Sequence, residues 1–174
     1  MTREWLGTSR HLTYGGRMKR QGSKLKLTQA ADLPWNSVEF GSCLDRARQI
    51  EEEILTCCRR HHFKDNDLFA IKLALEEALV NAVKHGNKLD KSKTVRVSYR
   101  ISDLRADVTI EDEGEGFNPA ELPDPCAVEN LERCCGRGIL LMRAYMSSVV
   151  FNTRGNKVTM TKFNEGYSVQ TATG

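Results

Sequence analysis

The sequence predicts an α+β fold, a two-layer α/β sandwich in which helices cover one face of a mixed, mainly antiparallel sheet. Apolar residues recur at helical spacing through residues 38–84, whereas apolar and polar residues alternate through residues 95–110 and 157–163. Helices and strands therefore come in separate runs, which favours this class over strict alternation. With 174 residues the chain is long enough to bury a core, and we expect one domain over residues 24–165.

The two ends of the chain are expected to be tails, over residues 1–23 and 166–174. Residues 1–26 hold seven Lys or Arg against one acid, Glu4, while the remainder carries 19 basic and 22 acidic residues. A solvated basic arm is the favoured interpretation of the first tail, and contact with a membrane or nucleic acid is the alternative. The net charge of +3 is too small to indicate direct nucleic-acid binding by the domain.

No apolar run approaches the roughly 20 residues that a membrane helix needs, and residues 1–20 lack the apolar region of a secretory signal. We therefore expect a cytoplasmic protein that does not bind membranes, with its six cysteines reduced. Two Cys–His pairs have helical spacing, Cys57 with His61 and Cys58 with His62. Because two ligands do not close a zinc site, the favoured interpretation is a helix that uses cysteine as a small hydrophobe.

A short strand and a helix are expected first. Leu25 and Leu27 alternate with lysines, which indicates a strand, and Pro34 ends it. Residues 38–62 are predicted to be helical because apolar side chains recur there at threes and fours: Leu44, Ala47, Ile50, Ile54 and Cys57 or Cys58.

A second helix is expected over residues 67–84. The preceding residues 64–67 form a turn whose acidic side chains suit a helix N-terminus, where they complement the helix dipole. Gly86 and Asn87 close the helix, since these residue types adopt the conformations found after a C-terminus.

Strands follow at residues 95–101 and 106–110, where apolar side chains alternate with polar ones. A long loop is expected over residues 114–138, with a short helix within it at 127–133. A further helix over 138–146 and a closing hairpin complete the domain. The hairpin strands are residues 149–152 and 157–163, joined by a turn at 154–156.

The second helix carries a polar pair beside its apolar stripe. Glu77 and Asn81 are i and i+4, so they lie one above the other on a flank about 100° from the stripe, while Glu76 points elsewhere. An Asn oxygen can bind Mg²⁺, and a carboxylate one turn away can orient or deprotonate a hydroxyl. For this pair alone, an ordinary amphipathic helix with a polar flank stays the alternative.

Asp112 lies in the apolar phase of the second strand. A carboxylate entering a core costs several kcal/mol unless it is hydrogen-bonded, so it requires a partner. Gly114 and Gly116 follow, and bare backbone there would allow a flat ligand to approach. An acceptor in this place suits the amino group of adenine. The alternative is an aspartate that caps its own turn.

The last motif is Gly136-Arg137-Gly138, which opens a helix. Glycines before a helix N-terminus expose N–H groups to an anion, and an arginine adds charge-assisted bonds to phosphate. The spacing matches neither a Walker P-loop nor a dinucleotide-binding fingerprint, and a simple loop-to-helix junction is the alternative.

Taken together and in this order, the three motifs resemble the N, G1 and G2 boxes of the GHKL ATPase superfamily, whose domain is the Bergerat fold. The matching stretches are Glu77-Ala-Leu-Val-Asn81-Ala-Val-Lys84-His85-Gly86, Asp112-Glu-Gly114-Glu-Gly116-Phe117 and Gly136-Arg137-Gly138-Ile-Leu-Leu-Met142. Residues 117–146 narrow the likeness to the anti-sigma factor serine/threonine kinases, and residues 155–162 resemble their last hairpin. The resemblance covers about residues 24–163.

The resemblance implies ATP and Mg²⁺ as cofactors, with Glu77 as catalytic base, Asn81 as metal ligand and Asp112 as the group that binds adenine. The other nucleotide-binding residues that it implies are Lys84, Gly114, Gly116, Phe117, Gly136, Arg137 and Gly138. Such proteins phosphorylate a serine or threonine of an anti-anti-sigma (STAS-type) protein and sequester a sigma factor; a homodimer is a further expectation.

Two departures from the family pattern affect the partner surface and the lid. Ser147 and Ser148 stand where an acid often follows the helix, and Cys134 and Cys135 stand in the lid, where we expect them to be inert rather than redox-active. Two other functions stay open. One is an ATP-switched binding module without phosphoryl transfer. The other is a detached histidine-kinase half, although no His-bearing dimerisation helix is visible before the domain.

Overall fold

The computed structural model describes residues 33–119 and 137–167, and it covers the Arg137 backbone but not the Arg137 side chain. Some predicted features lie outside the described residues. In residues 1–32 they are the first tail and the strand at Leu25 and Leu27, and in residues 168–174 they are the rest of the second tail. In residues 120–136 they are the helix over 127–133, the lid cysteines and Gly136.

The described chain forms a two-layer sandwich with one five-stranded sheet. The strands are β1 (Asn36–Gly41), β2 (Thr94–Ile101), β3 (Arg105–Asp112), β4 (Ser148–Phe151) and β5 (Lys157–Phe163). Their spatial order is β1-β2-β3-β5-β4. Every described pair is antiparallel, so the sheet carries no parallel pair among these strands, where a mixed one was expected.

The helices are α1 (Leu44–Arg60), α2 (Asp65–Val80) and α3 (Arg137–Tyr145), and a π-helix over Asn81–Gly86 continues α2. The core lies between these helices and one face of the sheet, as the α+β prediction required. Its largest fully buried side chains come from both layers: Ile50, Ile54, Ile71, Leu75, Leu79, Val83, Val95, Val97, Val108, Ile110, Met142 and Met160.

The prediction of a helix from residue 38 onward was wrong over β1. Val38 lies opposite Val97 and Phe40 opposite Val95 in the antiparallel register with β2. Phe40 is buried whereas Ser37 and Glu39 are exposed, so burial alternates from one residue to the next as it does in a strand. Pairing with a distant strand overrides the local helical spacing here, and helix α1 begins only at Leu44.

The cysteines of α1 belong to the apolar layer. Cys58 is fully buried in the core, and burial raises the pKa of its thiol to about 12. His61 Nδ1 lies 2.8 Å from the Asp103 carboxylate, at hydrogen-bonding distance. Within residues 33–119 and 137–167, no group of three or more His, Cys, Asp or Glu could hold a metal ion. None of the helices described there is long and apolar enough to cross a membrane.

A buried ion pair anchors the first turn of α2 to the sheet. Asp67 is 1% exposed and lies 3.2 Å from the Lys162 ammonium, while its second oxygen accepts a bond from the Glu165 backbone N–H at 3.1 Å. Lys162 extends from β5 on the core side, in phase with Val158 and Met160. The acids predicted for this helix start therefore also fix where α2 lies on the sheet.

Candidate functional site

A cavity of about 430 Å³ opens beside the C-terminal half of α2, the π-helix, the end of β3 and the first turns of α3. Its described lining combines apolar side chains, bare glycine backbone and a few polar groups. The apolar and glycine residues are Ala78, Val80, Ala82, Gly86, Ile110, Gly116, Phe117, Gly138, Ile139, Met142, Phe151, Gly155 and Val158. The polar residues are Glu77, Asn81, His85, Lys88, Asp112, Glu115, Asn156 and Lys157.

Helix α2 presents Glu77 and Asn81 to this cavity, while Glu76 is exposed and lies outside its described lining. Residues Ile71, Leu75 and Leu79 face the core, so the apolar stripe fixes the rotation of the helix. The spacing argument therefore selected the glutamate that the structure brings to the cavity.

The helix changes its hydrogen-bonding pattern at Asn81. The N–H of Asn87 donates to the Ala82 carbonyl at 2.8 Å, which is the i→i+5 spacing of a π-helix. The rotation per residue about the helix axis is smaller in a π-helix than in an α-helix. Residues after Asn81 therefore point in other directions than regular α-helical spacing from Glu77 would give. Lys84 is accordingly exposed and is not among the described lining residues, whereas His85 and Lys88 line the cavity.

The Asp112 carboxylate lies at the end of β3, on the inner side of the sheet. Its Oδ1 accepts a bond from the Gly114 N–H at 2.8 Å, so the aspartate does cap its own turn. Its Oδ2 makes no hydrogen bond to the described residues and is left as an acceptor beside the cavity. Partial burial raises the Asp112 pKa, and the bond from Gly114 opposes that rise.

Glycines surround the carboxylate for a reason that the sequence did not show. A Cβ atom on Gly86 would overlap the Asp112 carboxylate, and one on Gly114 would overlap the Gly86 carbonyl. Gly114 is buried and lies outside the described lining, and its backbone packs directly against Gly86 and Asp112. Gly116 does line the cavity and has a positive φ of 78°.

Two further glycine and aromatic contacts shape the cavity. A Cβ atom on Gly138 would overlap the Glu77 carboxylate, so the start of α3 lies directly against that side chain. The Phe117 ring packs edge-on against Phe151, with 5.3 Å between centroids. With Ile110 and the other apolar lining residues, these rings form apolar walls of the cavity.

Asn87 is a structural residue of the site that the sequence interpretation treated only as a helix end. It is fully buried, and its Nδ2 donates to the Thr94 carbonyl at 2.8 Å and to Ser42 Oγ at 2.9 Å. Its Oδ1 accepts from the Glu113 N–H at 2.9 Å. Asn87 therefore ties the end of the π-helix to the residue that follows Asp112. A polar residue directly after the Gly86 motif was the available signal.

Residues 40–162, well over half of the chain, match the family model of the histidine kinase-like ATPase domain. The chain is 35% identical over 96 residues to an anti-sigma F factor of Clostridium perfringens (strain SM101), covering 53% of this chain and 68% of that one. It is 33% identical over 107 residues to the serine-protein kinase RsbW of Bacillus subtilis (strain 168), covering 57% and 66%.

A solved structure of the RsbU and RsbW domains of Rv1364c from Mycobacterium tuberculosis is similar to this chain, with a TM-score of 0.51 and 16% identity. The match covers 76% of this chain and only 32% of that one, about a third of its length. At that identity the likeness supports the fold alone.

The packing of Gly86 against Asp112 gives a prediction for stability. Gly86→Ala should destabilise the fold by about 1–3 kcal/mol, because the new methyl group forces the carboxylate or the π-helix to move. Thermal unfolding measures the loss. Gly41→Ala is the matched control, since a Cβ there meets only the Lys91 carbonyl at 3.4 Å, and it should stay within about 0.5 kcal/mol. Equal melting temperatures for both variants would contradict the contact.

Proposed function

The chain belongs to the histidine kinase-like ATPase domain family, and from that membership we propose that it is an ATP-dependent serine/threonine protein kinase that acts as an anti-sigma factor. The observation that carries the proposal is the meeting of Glu77, Asn81 and Asp112 at one cavity. A module that only binds nucleotide has no need of the carboxylate of Glu77 beside the amide of Asn81. The names of the two curated relatives, an anti-sigma F factor and a serine-protein kinase, support the same function.

The described residues fit an adenine nucleotide. Asp112 Oδ2 is an acceptor without a hydrogen bond from the described part of the chain, and apolar walls flank it. The adenine amino group would donate to this oxygen, and Gly116 and Phe117 would lie along the base. Asn81, one turn beyond Glu77, would supply a neutral oxygen to Mg²⁺. Gly136, Arg137 and Gly138 would hold phosphate at the start of α3.

The chemistry that ATP supplies is the phosphoryl group, and the chain's own task is to position and deprotonate the acceptor. Glu77 would orient the serine or threonine hydroxyl of a partner and take its proton. Lys84 would neutralise phosphate charge from its exposed position outside the described lining. Lys88, which lines the cavity and pairs with Glu115 at 3.6 Å, would bring a second positive charge there.

We assign the partners from the relatives. The phosphorylated protein would be an anti-anti-sigma (STAS-type) protein, and the sequestered one a sigma factor, in the cytoplasm. A homodimer is compatible with this function. The second candidate function is an ATP-switched binding module that transfers no phosphoryl group. The Glu77 experiment below distinguishes this module from a kinase.

Asp112→Asn should weaken ATP binding by about 5- to 150-fold, because an amide N–H replaces the acceptor and leaves polar groups unpaired. Titration calorimetry with ATP and GTP measures the effect. GTP carries a carbonyl where ATP carries the amino group, so the natural chain should bind it poorly. Glu111→Gln, on the same strand but the opposite face, should leave ATP affinity at neutral pH unchanged. Equal ATP and GTP affinity in the natural chain would contradict the assignment.

The same carboxylate predicts a pH dependence. Because burial raises the Asp112 pKa, Asp112 protonates at a higher pH than an ordinary aspartate as the solution is acidified. ATP affinity should fall with that protonation, and the fall should be absent in Asp112→Asn.

Asn81→Ala should remove the enhancement of nucleotide binding by Mg²⁺, since the variant loses a metal-ligating oxygen. ATP titrations with and without Mg²⁺ measure the enhancement. Asn66→Ala, at an exposed position near the start of the same helix, should keep it in full. Full enhancement in Asn81→Ala would leave Asn81 as an ordinary polar helix residue.

Glu77→Gln should keep ATP affinity and fold yet lose phosphoryl transfer by about 10²–10⁴-fold, the usual contribution of a general base. Glu76→Gln should be nearly silent because Glu76 is exposed and lies outside the described lining. The assay uses labelled ATP and an anti-anti-sigma partner, with an acid-stable phosphoprotein as product. Full activity in Glu77→Gln would remove the base assignment. ATP binding without any transfer in the natural chain would leave the binding module as the function.

A further inference from the structure

A hairpin turn beside the cavity is in direct contact with the segment that carries Asp112. We call residues 112–117 the adenine loop and residues 152–156 the β4–β5 turn. Both line the cavity, the loop through Asp112, Gly116 and Phe117 and the turn through Gly155 and Asn156. Nothing in the nucleotide assignment above uses the turn.

The backbones of the two segments touch at paired glycines. Gly116 and Gly155 have positive φ angles of 78° and 76°. A Cβ on Gly116 would overlap the Arg154 carbonyl, and a Cβ on Gly155 would overlap the Phe117 carbonyl. Between them, the Phe117 N–H donates to the Arg154 carbonyl at 3.0 Å. Both positions therefore require glycine for conformation and for space.

Asn156 extends this contact to the backbone of Asp112. The Asp112 N–H donates to the Asn156 carbonyl at 3.0 Å, and Asn156 Nδ2 donates back to the Asp112 carbonyl at 2.7 Å. The side-chain amide oxygen of Asn156 accepts a hydrogen bond from Asn152 Nδ2 at 2.9 Å. Asn156 is 8% exposed, so these bonds are shielded from water and hold the peptide groups of Asp112 on both sides.

The side chain of Arg154 completes the connection. Its Nη2 donates to the Gly114 carbonyl at 2.9 Å, and its Nε lies 3.5 Å from the Glu115 carbonyl. The guanidinium thus spans successive carbonyls of the adenine loop. Gly114 in turn donates its N–H to Asp112 Oδ1 at 2.8 Å, which leaves Oδ2 as the oxygen available to a ligand. A short chain of contacts runs from Arg154 through Gly114 to the carboxylate.

We propose that Arg154 is a positioning residue for nucleotide binding, which fixes the adenine loop so that Asp112 presents one oxygen to the base. The proposal rests on the proposed function, because the base in question is the adenine of ATP. Arg154 acts through Gly114 and touches no reacting atom. Its removal should therefore affect nucleotide affinity and leave the rate of phosphoryl transfer at saturating ATP unchanged.

The positive charge of Arg154 has a second effect, on the pKa of Asp112, that a neutral side chain with the same hydrogen bonds would lack. Among the described residues, the charged groups that act on the Asp112 carboxyl are Arg154 and Lys93, which lower its pKa, and Glu111, which raises it. Without Arg154, Asp112 should protonate at a higher pH, so ATP binding should fail earlier on acidification. Arg154→Lys keeps the charge but loses the planar fork, which separates the two effects.

The experiment compares the natural chain with Arg154→Ala, Arg154→Lys and the control Thr153→Ala, an exposed residue of the same turn. Amide hydrogen exchange is measured without nucleotide, and ATP affinity is titrated across the acid range. In Arg154→Ala, we expect faster exchange in residues 113–117, about 3- to 10-fold weaker ATP binding and an acid limb at higher pH. Arg154→Lys should keep the natural acid limb with intermediate exchange. Thr153→Ala should match the natural chain.

The outcomes separate this proposal from the proposed function. Exchange and affinity equal to the natural chain in Arg154→Ala would overturn the positioning role, as would faster exchange with unchanged affinity. If Arg154→Ala does not fold, natural affinity and exchange in Arg154→Lys would overturn the role of the guanidinium fork. ATP binding with these changes but without phosphoryl transfer would support Arg154 while contradicting the kinase. A natural chain that binds no ATP would overturn both.

Discussion

The site depends on one partly buried carboxylate, Asp112, at the end of β3. Removing a carboxylate from water is unfavourable, and the raised pKa of Asp112 reflects that loss of solvation. The fold accommodates it by leaving Gly86 and Gly114 without side chains around it and by satisfying Oδ1 with the Gly114 N–H. Oδ2 then makes no hydrogen bond to the described residues, so this oxygen is available as an acceptor. The adjoining backbone is fixed by Asn87 on one side and Asn156 on the other.

The same constraint explains why α2 ends as it does. The helix has to bring Glu77 to the cavity while its apolar stripe stays on the sheet, and its continuation has to pass Gly86 close beneath Asp112. The π-helix over Asn81–Gly86 lowers the rotation per residue at the point where these demands meet. Such single-turn irregularities are frequent at functional sites, and this one determines which residues after Asn81 face the cavity.

Regular elements could be predicted from the sequence because their periodicity is local. The alternation of Val95 with Val97 and of Val108 with Ile110 placed β2 and β3, and it placed Asp112 in the inner phase. Strand β1 could not be predicted in this way, since Asn36–Gly41 is a strand only by virtue of its partner β2. The π-helix over Asn81–Gly86 could not be predicted either, since the spacing of apolar residues does not reveal a change in hydrogen-bonding pattern. The packing role of Gly114 was equally hidden, because it depends on a contact with Gly86, at the end of a π-helix that is distant in sequence.

The two ends of α2 carry opposite kinds of structure, and this division is what permits the site to be irregular. At the first end, Asp67 and Lys162 form a buried pair that holds the helix to β5, so the position of the helix on the sheet is fixed at the end away from the cavity.

At the cavity end the chain passes through a π-helix and then through Lys88 and Leu89, which have positive φ angles of 55° and 60°. Non-glycine residues in that region cost about 1–3 kcal/mol each and persist only where surrounding contacts determine them. Fully buried Asn87 provides such contacts immediately beside them, through three hydrogen bonds to Ser42, Thr94 and Glu113. The unfavourable backbone is therefore stabilised by the same residue that ties the helix end to the loop of Asp112, so the strain and the position of the carboxylate have one structural cause.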